Sequence, residues 1–169
     1  MKKTILKVFA AILIVANLFA LTSCANTSWV AKAGDETVPA GVYLNYLIDA
    51  YYTAAYSVPS QQIDMFKQKI GDVEVEDYIK NTALDSTKRY LAINKLFNEY
   101  KLSLTDEEIK KVENEVESLW NQVATIYENN GCGKESFTKV LLSEEKFKKI
   151  FEYYYSKDGK EPLAEKDKK

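Results

Sequence analysis

Two long stretches in the second half of the chain carry apolar residues at alternating steps of three and four, and that spacing commits most of the fold to packed helices. Between Val75 and Lys101 the positions are Ile79, Ala83, Ser86, Tyr90, Ile93, Phe97 and Tyr100, with Leu84 and Leu91 widening the stripe. Thr105-Asp106-Glu107-Glu108 then has the form of a capping box, in which Thr105 caps the Glu108 amide and Glu108 reaches back. From there Ile109, Val112, Val116, Leu119, Val123 and Ile126 repeat the spacing beside Trp120, and Asn129-Asn130-Gly131 stops the helix.

The earlier part of the domain reads differently. Trp29 to Ala33 and Glu36 to Val38 flank Gly34-Asp35, a two-residue turn signal, so a small hairpin is expected. Two strands alone are marginal in water and must pack on the neighbouring helices. Pro39 suits a first helical turn, and a helix from about Ala40 to Ser57 carries Tyr43, Leu44, Leu47, Ile48, Tyr51 and Ala55 along one face. Tyr46 and Tyr52 fall outside that stripe. Val58-Pro59-Ser60 ends the helix, and Gln61 to Asp72 reads as a linker with a short helix around Ile63 to Lys69. Beyond Gly133, Lys134 to Leu142 predicts a short helix. Ser143 is a suitable N-cap for a last helix carrying Phe147, Ile150, Phe151 and Tyr154. The fold class is therefore all-α, an irregular domain of about five helices with a small N-terminal β-hairpin.

Ahead of the domain, Lys2, Lys3 and Lys7 precede an uncharged run from Val8 to Leu21, which is too short to be a comfortable permanent span. The run ends on Leu21-Thr22-Ser23-Cys24, which resembles a bacterial lipobox. That resemblance implies a signal peptide over residues 1–23, diacylglycerol on Cys24 and a short tether over 24–28. The domain at 29–159 would then sit at the extracytoplasmic face of the cell membrane, followed by a charged tail at 160–169. Removing the signal takes three of the 23 basic residues and leaves 20 against 25 acidic, a net charge of about −5. A surface of that sign with no basic block argues against nucleic acid as a partner.

The chain has no histidine, which removes histidine-based triads and most zinc sites. No cofactor and no metal are expected. With Cys24 spent on lipid, Cys132 has no partner for an internal disulfide. It stands in the turn sequence Gly131-Cys132-Gly133, with no histidine or cationic cluster to activate it, so it is expected to be neither catalytic nor important for stability. Phe97 and Leu119 are expected to be core residues instead. Glu113, Glu115 and Glu117 alternate along a helix and are spread around it, as a solvated face is.

The order of hairpin, helix, linker, long helix, capped helix, short helix and terminal helix resembles the N-terminal domain of SurA and PrsA-type chaperones. The likeness runs from about Trp29 to Gly159. It rests on Trp29-Val30-Ala31-Lys32-Ala33-Gly34-Asp35-Glu36-Thr37-Val38, similar to the family's V-A-x-V-N-G-x-x-I hairpin. It rests also on Leu102 to Ile109, which resembles the junction T-x-E-E-I, and on Gly131 to Phe147, which resembles its small turn, S-F and E-x-F-K end. The resemblance implies a lipid-anchored extracytoplasmic folding factor that shelters unfolded or newly exported polypeptides. Relatives of this kind often continue into a parvulin-type prolyl isomerase domain, which would begin near Glu161. The sequence lacks one and has no histidine for its pocket, so a non-enzymatic module is expected.

Tyrosine marks the expected binding surface. The chain has 12, clustered at Tyr43, Tyr46, Tyr51, Tyr52 and Tyr56, and again at Tyr153, Tyr154 and Tyr155. Successive helical residues are about 100° apart, so three in a row cannot all be buried against one neighbour. In the resembling family the first helix packs near the last. A concave Tyr-lined surface is therefore expected there, with Tyr43, Tyr46, Leu47, Tyr52, Tyr153 and Tyr155 as peptide contacts. The alternative is a structural or adapter lipoprotein that uses the same helices to hold one specific partner at the membrane.

Overall fold

The computed structural model describes residues 29–156 and 159–162. The expected signal peptide over residues 1–23, the expected lipid site Cys24 and tether, and the stretch beyond Pro162 lie outside the described residues. Four α-helices and two small antiparallel ladders make up the described chain.

Strands β1 (Trp29–Ala33) and β2 (Glu36–Pro39) pair in register Ala33 to Glu36 and Ala31 to Val38, with an irregularity between Trp29 and Ala31. Gly34 turns the chain at φ 66°, a conformation that suits a residue without Cβ. Pro39 closes β2 and stands at the N-cap of α1 (Ala40–Ser57), one place earlier than the first-turn position expected. The helix ends where Val58 turns extended ahead of Pro59, as a residue before proline prefers.

The linker holds a second ladder in place of the expected short helix. A single 3-10 turn (Met65–Lys67) is capped by Asp64, whose carboxylate accepts the Phe66 amide at 3.1 Å. Strands β3 (Lys69–Ile70) and β4 (Val73–Glu74) then pair around Gly71 at φ 61°. The buried Gln68 side chain ties the linker together. Its Nε2 donates to the carbonyls of Ser60 (2.7 Å) and Ile63 (2.9 Å), and its Oε1 accepts the Ser60 amide.

Helix α2 (Val75–Glu99) buries Ile79, Ala83, Tyr90, Ile93 and Phe97 as the stripe requires, while Leu84 points to solvent. Tyr100, Lys101 and Leu102 close the helix in a Schellman arrangement. Leu102 donates to the Phe97 carbonyl and Lys101 to that of Asn98, with Lys101 at φ 53°. Helix α3 (Asp106–Asn129) opens on the full capping box: Glu108 N–H to Thr105 Oγ1 at 3.2 Å and Thr105 N–H to Glu108 Oε2 at 2.7 Å. Its covered face is Val112, Val116, Trp120 and Tyr127. Ile109, Leu119 and Ile126, expected in the core, are more than a third exposed because the covered face is rotated toward Trp120.

The last helix, α4 (Lys134–Tyr155), is continuous. It replaces the two helices expected at 134–142 and from Ser143, so the described chain has four α-helices and not five. Ser143 cannot make a capping box, since its third following residue is Lys146, and no glycine or proline interrupts the run. The serine is instead a small buried residue in mid-helix.

Helices α1, α3 and α4 meet around Ile48, Trp120, Tyr127 and Phe137, and α1 packs on α2 through Ala50, Ala54, Ile79 and Ala83. The hairpin is sealed by Val38, Val42, Tyr90 and Val140. A separate apolar group, Ile93, Phe97 and Ile150, joins the far ends of α2 and α4.

Candidate functional site

Cys132 belongs to the core and not to an exposed turn. Gly131, at φ 80°, closes α3 in a second Schellman arrangement: Cys132 N–H donates to the Tyr127 carbonyl at 2.9 Å and Gly131 N–H to that of Glu128 at 3.0 Å. This motif folds the residue after glycine back onto the helix, so Cys132 is fully buried with Trp120, Tyr127 and Phe137. The three rings stand 5.4–6.2 Å apart in edge and tilted arrangements. Burial pushes the thiol up to about 11, opposed by the neighbouring Asn45 amide. A neutral thiol is a weak acceptor, and Asn45 Nδ2 is left without a hydrogen bond. The thiol is inert by burial.

This core positions a cleft on its outer side. Tyr127 donates its hydroxyl to Asp49 Oδ1 at 2.5 Å, which ties the C-terminal end of α3 to the middle of α1. Between the two helices lies an open cleft of about 380 Å³ lined by Leu44, Leu47, Ile48, Tyr51, Tyr52, Ile126 and Asn130. Gly131 packs close to the cleft residue Leu44, and an added Cβ there would come within 3.3 Å of Leu44 Cδ1. Tyr51 and Tyr52 meet edge to face at 5.4 Å, and Phe66 of the linker stands 6.3 Å from Tyr51. Tyr56 (85 % exposed), Ile63 and Phe66 extend the apolar surface beyond the cleft. Such a run of uncovered aromatic and aliphatic side chains is unusual on a solvated surface.

Asp49 is an exposed residue, yet the atoms packed around its carboxyl raise it above the ordinary carboxylate range, with the Tyr127 hydrogen bond opposing. Burial, and then Asp49, push the Tyr127 phenol up in turn.

The six expected contacts are divided between two places. Leu47 and Tyr52 line the cleft. Tyr43 is half-buried against the α1–α2 core. Tyr46 turns inward between that core and the hairpin cluster, where burial raises its phenol, Glu144 adding to the effect. Tyr153 and Tyr155 lie at the other end of α4. From Phe137, which touches the α1 side, to Tyr153 is sixteen residues, about 24 Å of helix. The structure thus does not bring the two tyrosine clusters to one surface, because α1 crosses only the first half of α4.

The distal cluster has its own internal partners. Tyr153 stacks on Tyr100 at 5.3 Å, Tyr154 donates to the Tyr100 hydroxyl at 2.6 Å, and Tyr155 lies 4.9 Å from Phe151. Lys160, the first residue of the expected charged tail, places its ammonium 4.9–5.7 Å from the rings of Tyr100, Tyr153 and Tyr154. Its amide donates to the Tyr153 carbonyl. These rings hold Lys160 onto the domain.

Tyr51, Ile126 and Asn130 complete the cleft although the sequence marks Tyr51 and Ile126 as core and Asn130 as a helix stop. Their signal was available only in the pairing of α1 with the end of α3. Among the described residues no group of three or more potential ligands could hold a metal ion, and no helix is long and apolar enough to cross a membrane. Compared with known proteins, the chain matches no family model, no curated protein and no solved structure.

Proposed function

We propose that the protein is a lipid-anchored, extracytoplasmic, non-enzymatic chaperone-type module of the SurA/PrsA kind, which shelters apolar segments of unfolded or newly exported polypeptides. The observation that carries this reading is the uncovered cleft between α1 and α3, with Leu44, Leu47, Ile48 and Ile126 as its apolar wall and Tyr51 and Tyr52 at its mouth. Tyrosines present large contact area for little side-chain entropy, which suits weak and unselective binding. The element order of hairpin, helix, linker, long helix, capped helix and terminal helix also supports it. With lipid on Cys24, the five-residue step to Trp29 spans at most about 18 Å. The exposed Trp29 and Val30 would then lie near the membrane interface, where tryptophan is favoured.

The test is suppression of aggregation of an unfolded client by wild type and by Tyr51→Ser/Tyr52→Ser. Both rings are 41 % exposed, so the pair can be removed with little effect on the core. Lost protection at an unchanged melting temperature supports the reading. Full protection by the double variant contradicts it.

A further inference from the structure

We propose that Tyr100, Tyr153 and Tyr154 form a cage for a small quaternary ammonium ligand, with Lys160 as its tethered competitor. The site is separate from the α1–α3 cleft and does not depend on the peptide-binding reading. Three rings converge on one point. The Lys160 ammonium stands 5.1 Å from the centroid of Tyr100, 4.9 Å from that of Tyr153 and 5.7 Å from that of Tyr154. All three distances lie within the reach of cation–π attraction. The walls hold one another in place without the cation. Tyr154 donates to the Tyr100 hydroxyl at 2.6 Å, Tyr153 stacks on Tyr100 at 5.3 Å, and Tyr153 meets Tyr154 edge to face at 5.6 Å. The C-terminal end of α4 lies at the same place, and its dipole also favours a cation.

The resident lysine shows that the cage takes an ammonium, and its chemistry shows what would fit better. A primary ammonium carries three donors, for which ring faces are weak acceptors. A quaternary ammonium has no donor to leave unsatisfied and presents methyl groups to the rings. Lys160 is delivered by a short strap. Its amide donates to the Tyr153 carbonyl at 3.1 Å and that of Glu161 to the Tyr154 carbonyl at 2.7 Å. The strap passes so close over α4 that a Cβ on Gly159 would meet the Tyr154 carbonyl oxygen at 2.5 Å. Beside it an open cavity of about 320 Å³ is lined by Leu102, Lys149, Glu152, Tyr153, Ser156 and Gly159. The cavity shares Tyr153 with the cage and Gly159 with the strap, which gives an external ammonium an approach and leaves room for the rest of a small ligand. A tethered occupant competes through its high local concentration, so the strap sets the affinity for a free one.

The experiment titrates choline into the full chain at constant ionic strength, with the backbone amides of Tyr153, Tyr154 and Glu161 followed by NMR. The control ligand is the neutral tert-butyl alcohol that has carbon in place of the choline nitrogen. Wild type should bind choline at least about threefold more tightly than the alcohol. Lys160→Gln removes the competitor and Gly159→Ala displaces its strap, so each should tighten choline about threefold to tenfold. Tyr153→Leu keeps an apolar side chain without the ring and should erase the preference for choline over the alcohol. Melting temperatures check the fold of each variant. Should Lys160→Gln prove unstable, Gly159→Ala decides, and should both, the comparison of wild type with Tyr153→Leu decides. Choline bound no more tightly than the alcohol, an affinity unchanged in both strap variants, or a preference that survives Tyr153→Leu overturns the inference. Each of these results leaves the peptide-binding reading standing.

Discussion

Replacing Cys132 by serine exchanges a sulfur for a hydroxyl at a position with no solvent access. The walls are Trp120, Tyr127 and Phe137, and the nearest acceptor for the thiol is the Gly133 carbonyl at 3.9 Å from Sγ. A hydroxyl has a shorter bond to Cβ and its hydrogen cannot reach that carbonyl without movement, so this donor is left unsatisfied at a cost of about 1–3 kcal/mol, offset in part where the oxygen accepts from the neighbouring Asn45 amide. Lost apolar transfer adds to this, for a total of about 2–3 kcal/mol. Cys132→Ala removes one atom and buries nothing polar, and it should cost about 1 kcal/mol. In a domain of this size 1 kcal/mol corresponds to roughly 3–5 °C in melting temperature. Leu119→Ala, at a position 37 % exposed, should cost about 1 kcal/mol, well under a core truncation. Urea unfolding with equal slopes gives the order directly: serine worst, alanine and Leu119→Ala mild. A serine variant as stable as wild type, together with a large loss at Leu119→Ala, would refute this placement of the core. Rapid reaction of the native thiol with Ellman's reagent would do the same.

Other outcomes concern the helix ends, the acid groups and the anchor. Gly131→Ala should destabilise by more than about 1 kcal/mol, through positive φ and the contact with Leu44, whereas Lys101→Gly should stabilise by a few tenths to about 1 kcal/mol; both are read by thermal melts. Glu108 and Glu145 are held below their ordinary 4.5, first by Lys149 and Lys148 respectively. Depressed folded values mean that their stabilisation is complete above about pH 4.5 and is lost as pH falls through the lowered values. Glu108→Gln should therefore flatten the acid limb of the stability profile, and an unchanged limb contradicts the assignment. Cys24→Ala should abolish incorporation of labelled fatty acid, and undiminished labelling of a mature-size membrane protein would end the lipoprotein reading.

The elements legible in the sequence are those set by local chemistry. Gly34-Asp35 fixes the first turn, Val58-Pro59 ends α1, and Thr105 with Glu108 starts α3, because each signal acts within one helical turn. Which side of a stripe is covered depends on the neighbour. On α1 the stripe is drawn by its large residues, yet close approach to α2 uses Ala50 and Ala54, which leaves Leu44, Tyr51 and Tyr52 as the cleft. On α3 the width of Trp120 draws the covered face toward itself and turns Leu119 and Ile126 outward. Cys132 was readable in principle, since an apolar residue just after a helix-ending glycine tends to fold back on the helix. Leu102 obeys the same rule after Lys101, with no glycine to announce it. The hydrogen bond from Tyr127 to Asp49 was not legible at all, because the two residues lie 78 apart in sequence.

The central claim is that the α1–α3 cleft, and not the distal tyrosine cluster, receives polypeptide. Methyl NMR of the protein titrated with an unfolded client tests this most directly. The account predicts shifts at Leu44, Leu47, Ile48 and Ile126, with Ile93 and Ile150 beside the distal cluster unmoved. Shifts confined to Ile93 and Ile150, or none at all at saturating client, would contradict it.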